Sequence, residues 1–108
     1  MPTSSNIIYL PQDLTIKTNI FIRNVRFTAE IRLTLFADEN QVLTLFEKFN
    51  RSWEIWKSEI EKTVYRTFNE IASSCSTKEE FVLAIWRSSL PEELQQLGYF
   101  LSSLTVHE

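Results

Sequence analysis

Between Leu14 and Leu35 apolar and polar residues alternate, but the alternation changes phase. Leu14, Ile16, Ile20 and Ile22 are even-numbered, whereas Val25, Phe27, Ala29, Ile31, Leu33 and Leu35 are odd. Side chains of a strand point in turn to its two faces, so one straight strand would bury one set and expose the other. A reversal at Arg23-Asn24 removes the conflict. It sets 22 opposite 25, 20 opposite 27, 18 opposite 29, 16 opposite 31 and 14 opposite 33, with every strongly apolar pair on one face. The other face receives Phe21 opposite Arg26, Asn19 opposite Thr28, Lys17 opposite Glu30 and Thr15 opposite Arg32. Lys17 with Glu30 is a favourable opposite-charge pair. A two-residue type I′ turn asks for positive φ at both central residues, which suits Asn24 but not Arg23. A four-residue loop over 22–25 keeps the register without that strain, and the competing reading is one long bulged strand. Residues 7–10, Ile-Ile-Tyr-Leu before Pro11, offer a further short strand.

Beyond the hairpin the period changes. Asp38-x-x-Gln41 has the form of a capping box and predicts a helix start. From Val42 apolar residues recur at Phe46, Phe49, Trp53, Trp56, Ile60, Val64, Phe68 and Ile71, three or four apart, with no Gly or Pro between. An unbroken helix over this span would be about 50 Å long, which calls for a partner helix or a break. Asn50-Arg51-Ser52 is the place for a break, because Asn tolerates the left-handed conformation and Ser52 can cap a second helix. Ser76-x-x-Glu79 or Thr77-x-x-Glu80 caps the next helix, which carries Phe81, Val82, Ile85 and Trp86. Pro91 with Glu92 and Glu93 suits the first turn of a further helix, with a stripe of Leu94, Leu97, Leu101 and Leu104. Gly98, the single glycine, either admits another backbone or divides that helix.

The expected class is therefore α+β: an antiparallel hairpin, with residues 7–10 as a candidate third strand, followed by a long amphipathic helix and two or more further helices. One domain covers 1–108, with 1–6 and 105–108 expected to be flexible. A two-stranded hairpin alone is marginal, so its apolar face must be covered by the helices, by another strand or by a second subunit. Length and composition agree: 108 residues, 44% hydrophobic and 13% aromatic, suffice for one packed core and argue against a disordered chain.

Charge adds one feature. The net value is a mild −3, from 11 basic and 14 acidic residues. Residues 14–37 hold Lys17, Arg23, Arg26 and Arg32 against Glu30 alone, or +3, while 38–108 hold seven basic and twelve acidic residues, or −5. The absence of a basic leader and of any long uncharged apolar run leads to the expectation of a cytoplasmic protein without a membrane span.

Candidate chemistry is sparse. His107 is the sole histidine, next to the end of the chain, and Cys75 is the sole cysteine. A catalytic triad, a thiolate metal cluster and a two-histidine metal site therefore lack their parts. One glycine cannot build a phosphate-cradling loop. Glu47, Glu54 and Glu61 share a helical face with Arg51 and Lys57 interleaved, which reads as a solvated surface containing an i,i+4 pair. The expectation is no catalytic residue, no metal and no cofactor.

The aromatics carry the functional reading. Trp53, Trp56 and Trp86, with eight Phe and three Tyr, are many large rings for so small a domain. Most are expected in the core, but Leu43, Ile55 and Tyr65 lie off the main helical stripe, a surplus to be buried by the hairpin, the later helices or a partner. The expected role is a non-enzymatic protein-protein interaction module, an assembly chaperone or adaptor. It would take a short apolar or amphipathic peptide of a partner, either in a groove around Trp53, Trp56 and Trp86 or as a strand added to the open sheet edge. Homodimerisation through the long helix or the hairpin edge is compatible with that. The alternative is a small β-ribbon nucleic-acid binder, with Lys17, Arg23, Arg26 and Arg32 on phosphates and Phe21 stacking on a base. Four cations on an otherwise acidic molecule make a protein partner the better match.

Overall fold

Arg23 and Asn24 both adopt positive φ, 53° and 69°, between strands β1 (Asp13–Ile22) and β2 (Val25–Leu35). In the computed structural model, which describes residues 10–108, these strands pair antiparallel with Ile22 opposite Val25, Lys17 opposite Glu30 and Leu14 opposite Leu33. That is the register demanded by the phase change. The tight turn wins over a longer loop because two positive-φ residues match the right-handed twist of the flanking strands. Arg23 bears the strain. Arg23→Asn combined with Asn24→Gly is expected to raise the unfolding free energy by about 1 kcal/mol, measured by urea titration. No ion pair closes between Lys17 and Glu30; the pairs formed among the described residues are Arg51 with Glu47 at 2.8 Å and Arg66 with Glu93 at 3.0 Å.

The third strand of the described sheet comes from a segment whose spacing predicts a helix. The candidate at residues 7–10 falls outside the described residues apart from Leu10, which lies in no strand. β3 (Tyr99–His107) instead pairs antiparallel with β2, and the sheet order is β1-β2-β3. Leu101 and Leu104, expected on a helical stripe, are both buried strand residues. Leu33 faces Leu101 while Arg32 faces Ser103, so Ser102 is an extra residue in a bulge. A bulge shifts the side-chain phase by one, and the inward positions across it come three apart, as they would on a helix. The Ser102 hydroxyl donates to the Arg32 carbonyl oxygen at 2.9 Å and holds the bulge. Residues 105–107, expected to fray, belong to this strand, with Thr105 opposite Glu30 and His107 opposite Thr28.

Four helices lie between β2 and β3. α1 (Glu39–Lys48) starts at the expected box, where Asp38 Oδ1 accepts from Gln41 N–H at 2.9 Å and Asp38 N–H donates to Gln41 Oε1 at 3.1 Å. The long stripe breaks at Asn50 and Arg51, both at φ 58°, and Ser52 caps α2 (Trp53–Ala72) through Ile55 N–H. α3 (Lys78–Arg87) is capped by Thr77, whose hydroxyl accepts from Glu80 N–H at 3.1 Å. α4 (Leu90–Gln96) carries Pro91 in its first turn.

Trp56, Ile60, Val64 and Phe68 of α2 form the spine of the core. They meet the inward sheet residues, including Ile20, Ile31 and Leu101, together with Phe81 and Ile85 of α3 and Leu90 and Leu94 of α4. Phe81 packs edge-on against Phe68, with centroids 5.3 Å apart. All of this lies on one side of the sheet, so the described residues form two layers, and none of them covers the other sheet face.

Tyr99, fully buried at the start of β3, donates its hydroxyl to the Pro11 carbonyl oxygen at 2.8 Å. Burial pushes its pKa well above the ordinary tyrosine value. The folded chain therefore keeps a proton that the unfolded chain loses. The Tyr99 contribution should be intact below about pH 10 and fall above it, by up to about 1.4 kcal/mol per pH unit. Urea unfolding on the alkaline side should show this slope in the wild type and a shallower one in Tyr99→Phe.

Candidate interaction surface

Because β1, β2 and β3 alternate, their outward residues assemble into one continuous face. In the observed register it holds Phe21 beside Arg26, Lys17 beside Glu30 and Thr105, and Arg32 between Thr15 and Ser103. Phe21 is 59% exposed, and Lys17, Arg26 and Arg32 are exposed as well. Arg23 sits on the hairpin turn at the same end as Phe21. The hairpin thus brings together Phe21, Arg23 and Arg26, while Arg32 lies several pairs further along β2. Glu30 and Asp13 stand among these cations, and Asp13 accepts from the Thr34 hydroxyl at 3.3 Å. The face is consequently mixed in sign rather than a strongly positive platform.

The three tryptophans do not form a groove. Trp56 has no exposed surface and donates its indole N–H to the Leu97 carbonyl oxygen at 2.7 Å. It is a core residue, removed from any partner. Trp53 is half-buried, edge-on to Trp56 with centroids 5.4 Å apart and tilted against Tyr99 at 6.1 Å. Trp86 lies on the outer side of α3, 43% exposed, and stacks on neither of the other two. The reason is geometric. Trp53 and Trp56 point into the junction of α2 with the α4–β3 turn, whereas α3 buries Phe81 and Ile85 and turns Trp86 away.

Comparison with protein-family models, with curated proteins and with solved structures finds no match to this chain.

Two exposed aromatics escaped the sequence reading. Phe36, just past β2, and Phe100 on β3 meet edge-on with centroids 6.4 Å apart, and both are substantially exposed. Phe100 was hidden by the helical reading of its segment, although the Thr105-Val106 pair suits a strand. Cys75 is half-buried at the rim of the core. Burial and, secondarily, the Glu80 carboxylate push its thiol up, away from a reactive thiolate. No described helix is long and apolar enough to cross a membrane.

The sheet edges complete the surface. In a two-residue hairpin the residues flanking the turn exchange both backbone hydrogen bonds, so the even residues of β1 direct their N–H and C=O groups at β2. The bond from Leu35 N–H to Gln12 O, 2.8 Å long, has the same parity. The odd residues, Thr15, Lys17, Asn19 and Phe21, then direct theirs outward, where no strand pairs with them among the described residues. Natural edge strands are usually blunted by bulges, prolines or charged side chains, lysine above all. β3 carries its bulge at Ser102, whereas β1 is regular over ten residues with no proline and has Lys17 as its one mid-strand charge.

Proposed function

We propose that this protein is a non-enzymatic protein-protein interaction module, of the assembly chaperone or adaptor kind. It takes up an extended apolar or amphipathic segment as an additional strand along β1. The observation that supports this reading is the regular β1 edge, without bulge or proline and with Lys17 as its one mid-strand charge, beside a sheet face that no described element covers. Backbone hydrogen bonding along such an edge supplies affinity, and alternate side chains supply specificity. Phe21 and Lys17, with Arg23 at the turn, would meet the outward side chains of the segment, while Arg26 and Arg32 stand one strand further in on β2. Inward residues would extend the apolar layer beneath α2. The groove around Trp53, Trp56 and Trp86 drops out, because Trp56 is inaccessible.

Asn19→Pro tests the reading. Its N–H points away from β2, so proline removes an edge donor without breaking the hairpin ladder. The expected result is an unchanged circular dichroism spectrum and near-normal melting temperature, with loss of the proteins captured from the native host as identified by mass spectrometry. Full retention of those partners by a folded Asn19→Pro protein would reject strand addition.

A nucleic-acid ribbon is the second reading, favoured by Phe21 and Arg26 lying side by side and exposed. Phosphate contacts by Lys17, Arg23, Arg26 and Arg32 would give binding that weakens steeply with salt. Single-stranded oligonucleotides that fail to bind even at low salt would dismiss it.

A further inference from the structure

The strand that fits the β1 edge can be read from β1 itself. We propose that two copies of the chain associate through their β1 edges about a two-fold axis at Thr18, joining the two three-stranded sheets into one; this rests on the strand-addition reading and names the partner. The argument is one of register. Outward-bonding residues of β1 are odd, so two antiparallel β1 strands bond correctly only when odd faces odd and even faces even. That condition also keeps the inward apolar residues of both copies on one side.

Among the registers of this parity, the charges choose. Centring the axis on Lys17 sets Lys17 against its own copy, a like-charge contact directly across the ladder. Centring it on Thr18 removes that contact. Leu14 then faces Ile22 of the second copy, Ile16 faces Ile20, and Lys17 faces Asn19. Asp13 at one end meets Arg23 at the turn of the other copy, and the symmetry repeats this opposite-charge contact. Centring on Asn19 instead shortens the overlap and sets Leu14 against Asn24. The Thr18 register alone matches apolar with apolar, avoids like charges and pairs the end charges. β3 offers no equivalent, because its bulge at Ser102 changes the parity midway.

Thr18 faces itself in a pair without direct hydrogen bonds, where Cα atoms lie about 4.5 Å apart, within the range a disulfide spans. The test is a single-cysteine protein, Thr18→Cys with Cys75→Ser, treated with a mild oxidant, beside Ser103→Cys with Cys75→Ser as control. The expected result is a cross-linked dimer for position 18 and none for 103. Sedimentation equilibrium should give twice the 12.8 kDa chain mass for the wild type and a monomer for Asn19→Pro. Asp13→Lys should weaken association about tenfold, and adding Arg23→Asp should recover most of that loss. A wild type that stays monomeric at high micromolar concentration overturns the proposal. So does a dimer that survives Asn19→Pro and fails to cross-link at position 18. If the chain is monomeric yet Asn19→Pro still loses captured partners, the self-pairing falls and strand addition stands; if capture is also unchanged, both fall.

Discussion

Trp56→Ala is expected to lower the unfolding free energy by about 4 kcal/mol, the range observed when a large aromatic ring is deleted from a closed core. Trp56 is completely buried and packs against Phe49, with centroids 6.3 Å apart, and against Trp53. Its indole N–H is the donor to the Leu97 carbonyl, so the substitution also leaves that oxygen without its indole partner. Such an orphaned group adds about 1–3 kcal/mol unless water reaches it. Domains of this size hold roughly 5–15 kcal/mol in total, so a large part of the fold's stability depends on this one residue. Urea unfolding followed by circular dichroism measures the loss. Trp86→Ala, on the exposed side of α3, is the contrast, expected within about 0.5 kcal/mol of the wild type. Equal losses at the two positions would contradict the burial of Trp56 and the exposure of Trp86.

Gly98→Ala should cost about 3 kcal/mol, from two independent causes. Gly98 has φ +93°, a backbone conformation that L side chains rarely adopt, and non-glycine residues pay roughly 1–2 kcal/mol at positive φ. A Cβ there would also stand 3.1 Å from Leu45 Cδ1 and 3.1 Å from Trp56 Cζ2. Overpacking of that kind costs about 1–3 kcal/mol, because Trp56 is held by its hydrogen bond and cannot step aside freely. The Gly98 carbonyl accepts from both Phe36 and Ala37 N–H groups, at 2.8 and 3.0 Å, so the distortion reaches the β2 end of the sheet. Thermal melting of Gly98→Ala in the wild-type and Leu45→Ala backgrounds separates the causes. Leu45→Ala removes one of the two closest contacts, so a smaller penalty in that background measures the steric share and the remainder bounds the backbone share from above.

Legibility from sequence followed the range of the forces involved. The hairpin register, the capping box at Asp38, the break at Asn50-Arg51 and the cap at Thr77 all depend on residues within a few positions of one another. Each could be read because side-chain period and cap chemistry are local. Position 101 could not. Leu101 and Leu104 lie three apart both on a helix and across a bulged strand, and only pairing with Leu33 and Ile31 of β2 selects the strand. The site was legible in the same uneven way. Phe21, Arg26 and Arg32 came to one face because hairpin register alone places them there. Trp53, Trp56 and Trp86 separated because burial depends on where α2 and α3 sit against distant segments.

Alternation, caps and turn residues act over a few positions, and they are enough to dictate the antiparallel hairpin, the α+β class, the starts of α1 and α3 and the break between α1 and α2. Long-range packing sets Tyr99–His107 beside β2, puts Trp56 in the core, and gathers all four helices on one face, so that among the described residues nothing covers the other face or pairs with the β1 edge. Those outcomes come from contacts between residues distant in the chain, such as Trp56 with Leu97 and Leu33 with Leu101. A periodic pattern tells which side of an element is apolar; it does not tell what that side is buried against.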